Sequence, residues 1–197
     1  MIDTIMANVK GFLFNPVDTF QQTKGDEPKA VFTYFVVLLV IYSVLSAIIA
    51  AIGMDSMLAG ALPGAGGIFG IFLASLIGTF ILTLIFAAWL HLWVYLFGGR
   101  NGIMQTVKAV VYGSTPELLF GWIPFIGFLF SIWSLGLGIL GIRELQELST
   151  AKAVMVFVIA VVIPLIVLVL LAAFFFISVM TVTGTVPEPS ENLFTAF

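Results

Sequence analysis

Five long apolar runs constrain this chain more than anything else in it, at about residues 30–52, 68–97, 103–122, 125–142 and 153–180. Crossing about 30 Å of hydrocarbon takes roughly 20 helical residues, so each run is a candidate crossing. A transmembrane barrel would instead show segments of about ten residues that alternate apolar and polar side chains. These runs are apolar on every face, which leaves the helix, since it satisfies its own backbone inside a bilayer. The expected fold is all-α, a polytopic integral membrane bundle of five transmembrane helices over residues 30–180. Cytoplasmic interfacial helices over 1–29 precede it, and a short external tail over 181–197 follows.

Composition narrows the function classes. Only 9% of residues are charged and 61% are apolar, which rules out a soluble globule, where about a quarter are charged. Seven Lys and Arg are too few for a nucleic-acid surface. The chain has no Cys, so disulfides, thiolate nucleophiles and cysteine metal sites are out of reach. Met1–Lys10 carries Asp3 and no basic stretch ahead of an apolar run, so it does not resemble a cleaved signal peptide. The lipid bilayer is thus the expected partner.

Basic residues near span ends are retained on the cytoplasmic side. Lys10, Lys24 and Lys29 precede the first run, Arg100 and Lys108 follow the second, and Arg143 and Lys152 lie between the fourth and fifth. The opposite side carries only Asp55, Glu188 and Glu191. This predicts a cytoplasmic N-terminus and an external C-terminus, with Trp89, Trp93 and Tyr95 in a cytoplasmic aromatic belt. The second and fifth runs exceed the length needed, which implies tilt, a kink at Pro164, or extension into the headgroups.

The N-terminal thirty residues are the most patterned segment outside the runs. Ile2, Ile5, Met6, Val9, Phe12 and Leu13 recur at helical spacing between Asp3, Asn8 and Lys10, which suits a helix lying in the interface. Asn15-Pro16 is a helix start, predicting a second short helix over Pro16–Thr23. Phe12, Phe14, Pro16 and Phe20 are candidates for docking a partner, the alternative being a plain interfacial anchor. Residues 59–67 form a small-residue linker, and the tail is Pro-interrupted. Arg143 and Glu147 are spaced for an i,i+4 pair, and Ser149 or Thr150 for capping the last helix.

Gly136, Gly138 and Gly141 spell the dinucleotide-binding pattern G-x-G-x-x-G, yet they lie inside an apolar run with no strand before them. Gly127, Ser131, Ser134 and Gly138 recur every three or four residues, the small face used for close helix packing or for self-association.

The third run contains Tyr112-Gly113-Ser114-Thr115-Pro116-Glu117. Pro116 has no N–H and crowds the carbonyl of Tyr112, so the helix must kink or restart there, with Thr115 as cap. A rise of about 1.5 Å per residue from Ile103 puts Glu117 about 20 Å in. An ionisable side chain at that depth is a functional-site hypothesis, and a broken helix beside it resembles transporter sites. The alternatives are a carboxyl that completes a kinked helix end or faces an outer vestibule. The candidate intramembrane polar site is Glu117, Pro116, Tyr112, His91 and Lys108. Beside Trp89 and Trp93, His91 reads as an interfacial hydrogen-bonding residue, the alternative being a proton carrier facing Lys108 or Glu117 across an antiparallel pair, although counting depth leaves about 10 Å between His91 and Glu117. With one His, no catalytic motif and no multi-His metal set, neither enzyme activity, metal nor cofactor is expected.

The order of these features resembles the Yip1 domain family. It comprises the Asn15-Pro16 helix, Gly98-Gly99-Arg100, Tyr112-Gly113 with Pro116, Gly141-Ile142-Arg143-Glu144, and Ser149-Thr150-Ala151-Lys152-Ala153. The resemblance implies a non-enzymatic polytopic membrane protein. Eukaryotic members act in vesicle traffic, bind prenylated Rab GTPases and associate with one another. This chain lacks their long polar N-terminal region and their Asp-Leu-Tyr-Gly-Pro motif, so a Rab-type GTPase is not the partner it implies. The short loops resemble prokaryotic relatives in the cell membrane. The function expected is binding or organising lipids or membrane proteins, the alternative being a small transporter or channel at Pro116 and Glu117.

Overall fold

A computed structural model of the chain describes residues 2–52 and 67–182. Residues 59–66 of the 59–67 linker and the tail from 183 onward lie outside the described residues. All regular structure described is helical: α1 (Ile2–Phe14), α2 (Pro16–Thr23), α3 (Pro28–Ala51), α4 (Gly67–Leu96), α5 (Ile103–Gly113), α6 (Thr115–Phe120), α7 (Gly127–Gln146) and α8 (Thr150–Val182). Four of them, α3, α4, α7 and α8, are long and apolar enough to cross a membrane. The third apolar run is two shorter helices, of 11 and 6 residues, because Pro116 interrupts the backbone ladder.

Local chemistry explains the boundaries. Pro16 and Pro28 sit in the first turns of α2 and α3, where a missing N–H costs nothing. Gly98 and Gly102, at φ +101° and +85°, frame the turn between α4 and α5 in a conformation that favours glycine. Ser149 caps α8, its Oγ accepting the Lys152 N–H at 3.4 Å. Pro164 lies inside α8 without ending it.

The chain forms two compact units, residues 1–157 and 158–197. In the first, α5 packs most extensively on α7 and α3 on α4, while α2 lies against α7. The described part of the second is the remainder of α8, whose side chains from 164 to 177 are all exposed.

One end of the first unit gathers most of the polar contacts. Asn101 donates from Nδ2 to the Leu145 carbonyl at 2.9 Å and from its backbone N–H to Gln146 Oε1 at 3.1 Å. Gln146 Nε2 donates to the Gly102 carbonyl at 2.9 Å and to Thr106 Oγ1 at 3.0 Å. Gln21 donates to Glu144 at 2.9 Å, and Lys24 pairs with Glu147. The guanidinium of Arg100 lies 3.9 Å over the Tyr95 ring.

The expected Arg143–Glu147 pair is replaced. Glu147 turns out of α7 at φ +56°, which takes its carboxylate off the face of Arg143 and across to Lys24. Arg143 pairs with Glu144 instead, at 2.6 Å.

Candidate functional site

The break at Pro116 is satisfied by side chains. Proline cannot donate to the Tyr112 carbonyl four residues earlier, and Thr115 Oγ1 donates to it instead at 2.6 Å. With that proton committed, the Tyr34 hydroxyl donates to Thr115 Oγ1 at 2.8 Å. Thr115 is fully buried and Tyr34 nearly so. The restart falls one residue earlier than Thr115 as cap would put it, since Ser114 occupies the N-cap position and Thr115 and Pro116 the first turn.

Beside this break the small face of α7 is used within the chain. A Cβ on Gly113 would lie 2.9 Å from the backbone nitrogen of Gly138, and one on Gly138 would lie 2.6 Å from the Phe157 ring. Close backbone approach needs both glycines. Ser134 Oγ accepts the backbone N–H of Glu117 at 3.0 Å, serving a donor that the new helix start leaves free. Ser131 Oγ lies 3.4 Å from Glu117 Oε1. Gly136, Gly138 and Gly141 sit within α7, with no strand among the described residues.

A cavity of about 280 Å³ reaches Glu117. Its polar groups are Thr79 and Thr83 from α4, Ser114, Glu117 and Ser134, and its walls include Leu82, Leu135 and Phe157. Leu82 and Leu135 are exposed, and so is Glu117. The site is therefore a groove on the outer face of the helices, with one carboxyl and several hydroxyls at its mouth.

The other predicted polar residues do not join Glu117. Lys108 is buried and donates from Nζ to the Lys24 carbonyl at 2.6 Å, and Tyr112 donates to Asp26 Oδ2 at 2.5 Å. His91 faces neither Lys108 nor Glu117. Its Nδ1 lies 2.8 Å from Thr106 Oγ1, which also takes the Gln146 amide. The five residues thus divide into three places, because α5 points Lys108 and Tyr112 toward the loop before α3 while α6 carries Glu117 to the groove.

Phe12 and Phe20 do not form a docking face. Both are fully buried, Phe12 with ring centroids 4.8 Å from Phe20 and 4.7 Å from Tyr112. The Phe20 ring also fills the space beside Gly141. Phe14 is 83% exposed, and Pro16 is half-buried at the start of α2. Asp26, Tyr34 and Gln146 belong to these networks without having stood out beforehand, and Thr115 stood out only as a cap. Its place next to a proline, from which a hydroxyl can bond back along the helix, was the local signal for the role it has. No three His, Cys, Asp or Glu side chains converge among the described residues.

No curated protein and no solved structure matches the chain. A family model, the Yip1 domain, matches residues 10–189, nearly the whole length. The helical architecture with its long apolar segments agrees with that match, and the chain belongs to the Yip1 domain family of membrane proteins.

Proposed function

We propose that the protein is a non-enzymatic membrane component that works by binding lipids or other membrane proteins, without carrying a solute across. The observation that supports this best is the position of Glu117. Its groove opens between exposed Leu82 and Leu135, toward the surroundings of the helices. A mostly apolar groove with a few polar groups at its mouth suits an amphiphile or a neighbouring helix. A photoreactive side chain at Leu135 is expected to capture lipid or a membrane protein, and purified protein in liposomes is expected to pass no ions or protons. Flux abolished by Glu117→Gln would overturn the proposal in favour of a small transporter or channel.

The proposal includes five crossings, with α5 and α6 together as the broken third. Their span from 103 to 120 corresponds to about 27 Å at 1.5 Å per residue, close to the hydrocarbon thickness. The start of α5 meets the end of α7 through Asn101 and Gln146. If α7 crosses, α5 and α6 must carry the chain over first. With Lys24, Arg100 and Arg143 near this end, it is the cytoplasmic one, as in a prokaryotic cell membrane. Exposed Ile2, Met6 and Phe14 recur every four or eight residues on α1, which suits a helix lying in the interface. The chain has no native cysteine, so single-cysteine variants need no background removal. Thr181→Cys is expected to react with an impermeant thiol reagent from outside and Asp3→Cys from inside, and the reverse pattern would overturn this topology.

A further inference from the structure

We infer that the first turns of α3 and the facing side of α1 form a binding site for the headgroup of a zwitterionic aminophospholipid. This assigns a ligand class within the binding role proposed above and rests on it. A cavity of about 320 Å³ lies between Thr4, Ile5 and Asn8 of α1 and the stretch from Asp26 to Tyr34. Tyr34 and Tyr112 close its inner side. Since α3 is a candidate span that begins at Pro28, the cavity lies where hydrocarbon gives way to headgroups.

Its charges select the ligand. Asp26, Glu27 and Lys29 all line it. Asp26 is engaged by the Tyr112 hydroxyl, whereas neither Glu27 nor Lys29 forms an ion pair among the described residues. A purely anionic headgroup would satisfy Lys29 but meet the unpaired Glu27 carboxylate, and a purely cationic one would leave Lys29 unmatched. A headgroup with a phosphate for Lys29 and an ammonium for Glu27 matches both signs. A primary ammonium fits better than a trimethylated one. It has N–H donors for Glu27, Asn8 and Thr4, whereas the rings that would cradle a trimethylammonium, Tyr34 and Tyr112, are 2% and 1% exposed and covered by Phe12. Ile5 in the wall, with Ile2 and Met6 exposed on the same helix, provides an apolar path for the acyl chains.

Native mass spectrometry of the full-length protein in detergent tests this, with phosphatidylethanolamine, phosphatidylcholine and phosphatidylglycerol offered at equal concentration. Phosphatidylethanolamine is expected to be retained preferentially. Glu27→Gln and Lys29→Gln should each weaken that retention about tenfold, as expected for a lost charge-assisted hydrogen bond. Lys29→Arg should keep it, and Lys10→Gln, away from the cavity, should leave it unchanged. Unaltered melting of each variant establishes that the fold is intact. Equal retention of the three lipids, or a preference untouched by both substitutions, would overturn the inference. Displacement by an equal concentration of soluble glycerophosphoethanolamine would reassign the site to a free small molecule and overturn the lipid form. Loss of the preference without solute flux would sink this assignment alone, whereas flux dependent on Glu117 would sink the binding role.

Discussion

Thr115 stands in for the proline that follows it: its hydroxyl takes the Tyr112 carbonyl at 2.6 Å, the acceptor that Pro116 cannot serve. Thr115→Val keeps the shape and removes the hydroxyl, so it orphans both that carbonyl and the buried Tyr34 hydroxyl. A cost of about 1–3 kcal/mol for each unsatisfied group is expected. Pro116→Ala restores a backbone donor to the same carbonyl, so the valine substitution should cost less in the Pro116→Ala background. A double-mutant cycle by thermal unfolding in detergent measures the coupling. Equal costs in both backgrounds would mean that Thr115 does not replace the missing donor.

The Phe12 ring packs α1 against Phe20 of α2 and holds it to the rest of the first unit through Tyr34 and Tyr112. Phe12→Ala is expected to destabilise by about 3–5 kcal/mol and to open the α1–α2 connection to protease. Phe14→Ala, at an exposed position two residues on, should change stability by no more than about 0.5 kcal/mol. Comparable losses at the two positions would contradict the inward role of Phe12.

These two positions also show what can be read from residue order alone. The apolar runs, the Asn15-Pro16 start and the break at Pro116 are visible because each cause is local: a run long enough to cross, a proline that fits a first turn, a missing N–H inside a helix. The direction in which Phe12 faces is not. At a membrane surface both the protein side and the lipid side of a helix can be apolar, so periodicity identifies the stripe without saying what covers it. The polar partners are hidden for a different reason. Tyr112 reaches Asp26 across 86 residues and Lys108 reaches the Lys24 carbonyl across 84, and no spacing rule connects positions so far apart. Counting depth along antiparallel helices leaves about 10 Å between His91 and Glu117 and suits His91 as a hydrogen-bonding residue, but it does not name the Thr106 hydroxyl as the partner of its ring nitrogen.

Three glycines that mimic a nucleotide fingerprint should respond unequally to alanine. A methyl on Gly138 would meet the Phe157 ring at 2.6 Å, and one on Gly141 would meet the Phe20 ring at 2.9 Å and Ala109 Cα at 3.0 Å. Overpacking costs of about 1–3 kcal/mol are expected at both. Nothing lies within 4 Å of a methyl on Gly136, so Gly136→Ala should be neutral or stabilise α7 by about 0.5–1 kcal/mol. Melting temperatures of the three variants check this. Equal losses at all three would contradict this division into two packed glycines and one open one.

Glu147 lies outside the long helices, and its carboxyl is held below the usual carboxylate range, first by the hydrogen bond from Lys24 and then by that ammonium's charge. Because the depressed value belongs to the folded state, the contact's contribution is present at neutral pH. It fades as pH falls below the ordinary glutamate value toward the depressed one. Both side chains are exposed to solvent, which makes the contact sensitive to salt, with a screening length of about 3 Å at 1 M. A carbon-13 titration of the Glu147 carboxyl in the solubilised protein should show the downward displacement, and Lys24→Gln should return it toward the ordinary value. Hydrogen exchange over α2 should quicken in the same variant, and in the unaltered protein at high salt or acidic pH. An ordinary titration of Glu147 in the unaltered protein would remove Lys24 as the tether between α2 and the end of α7.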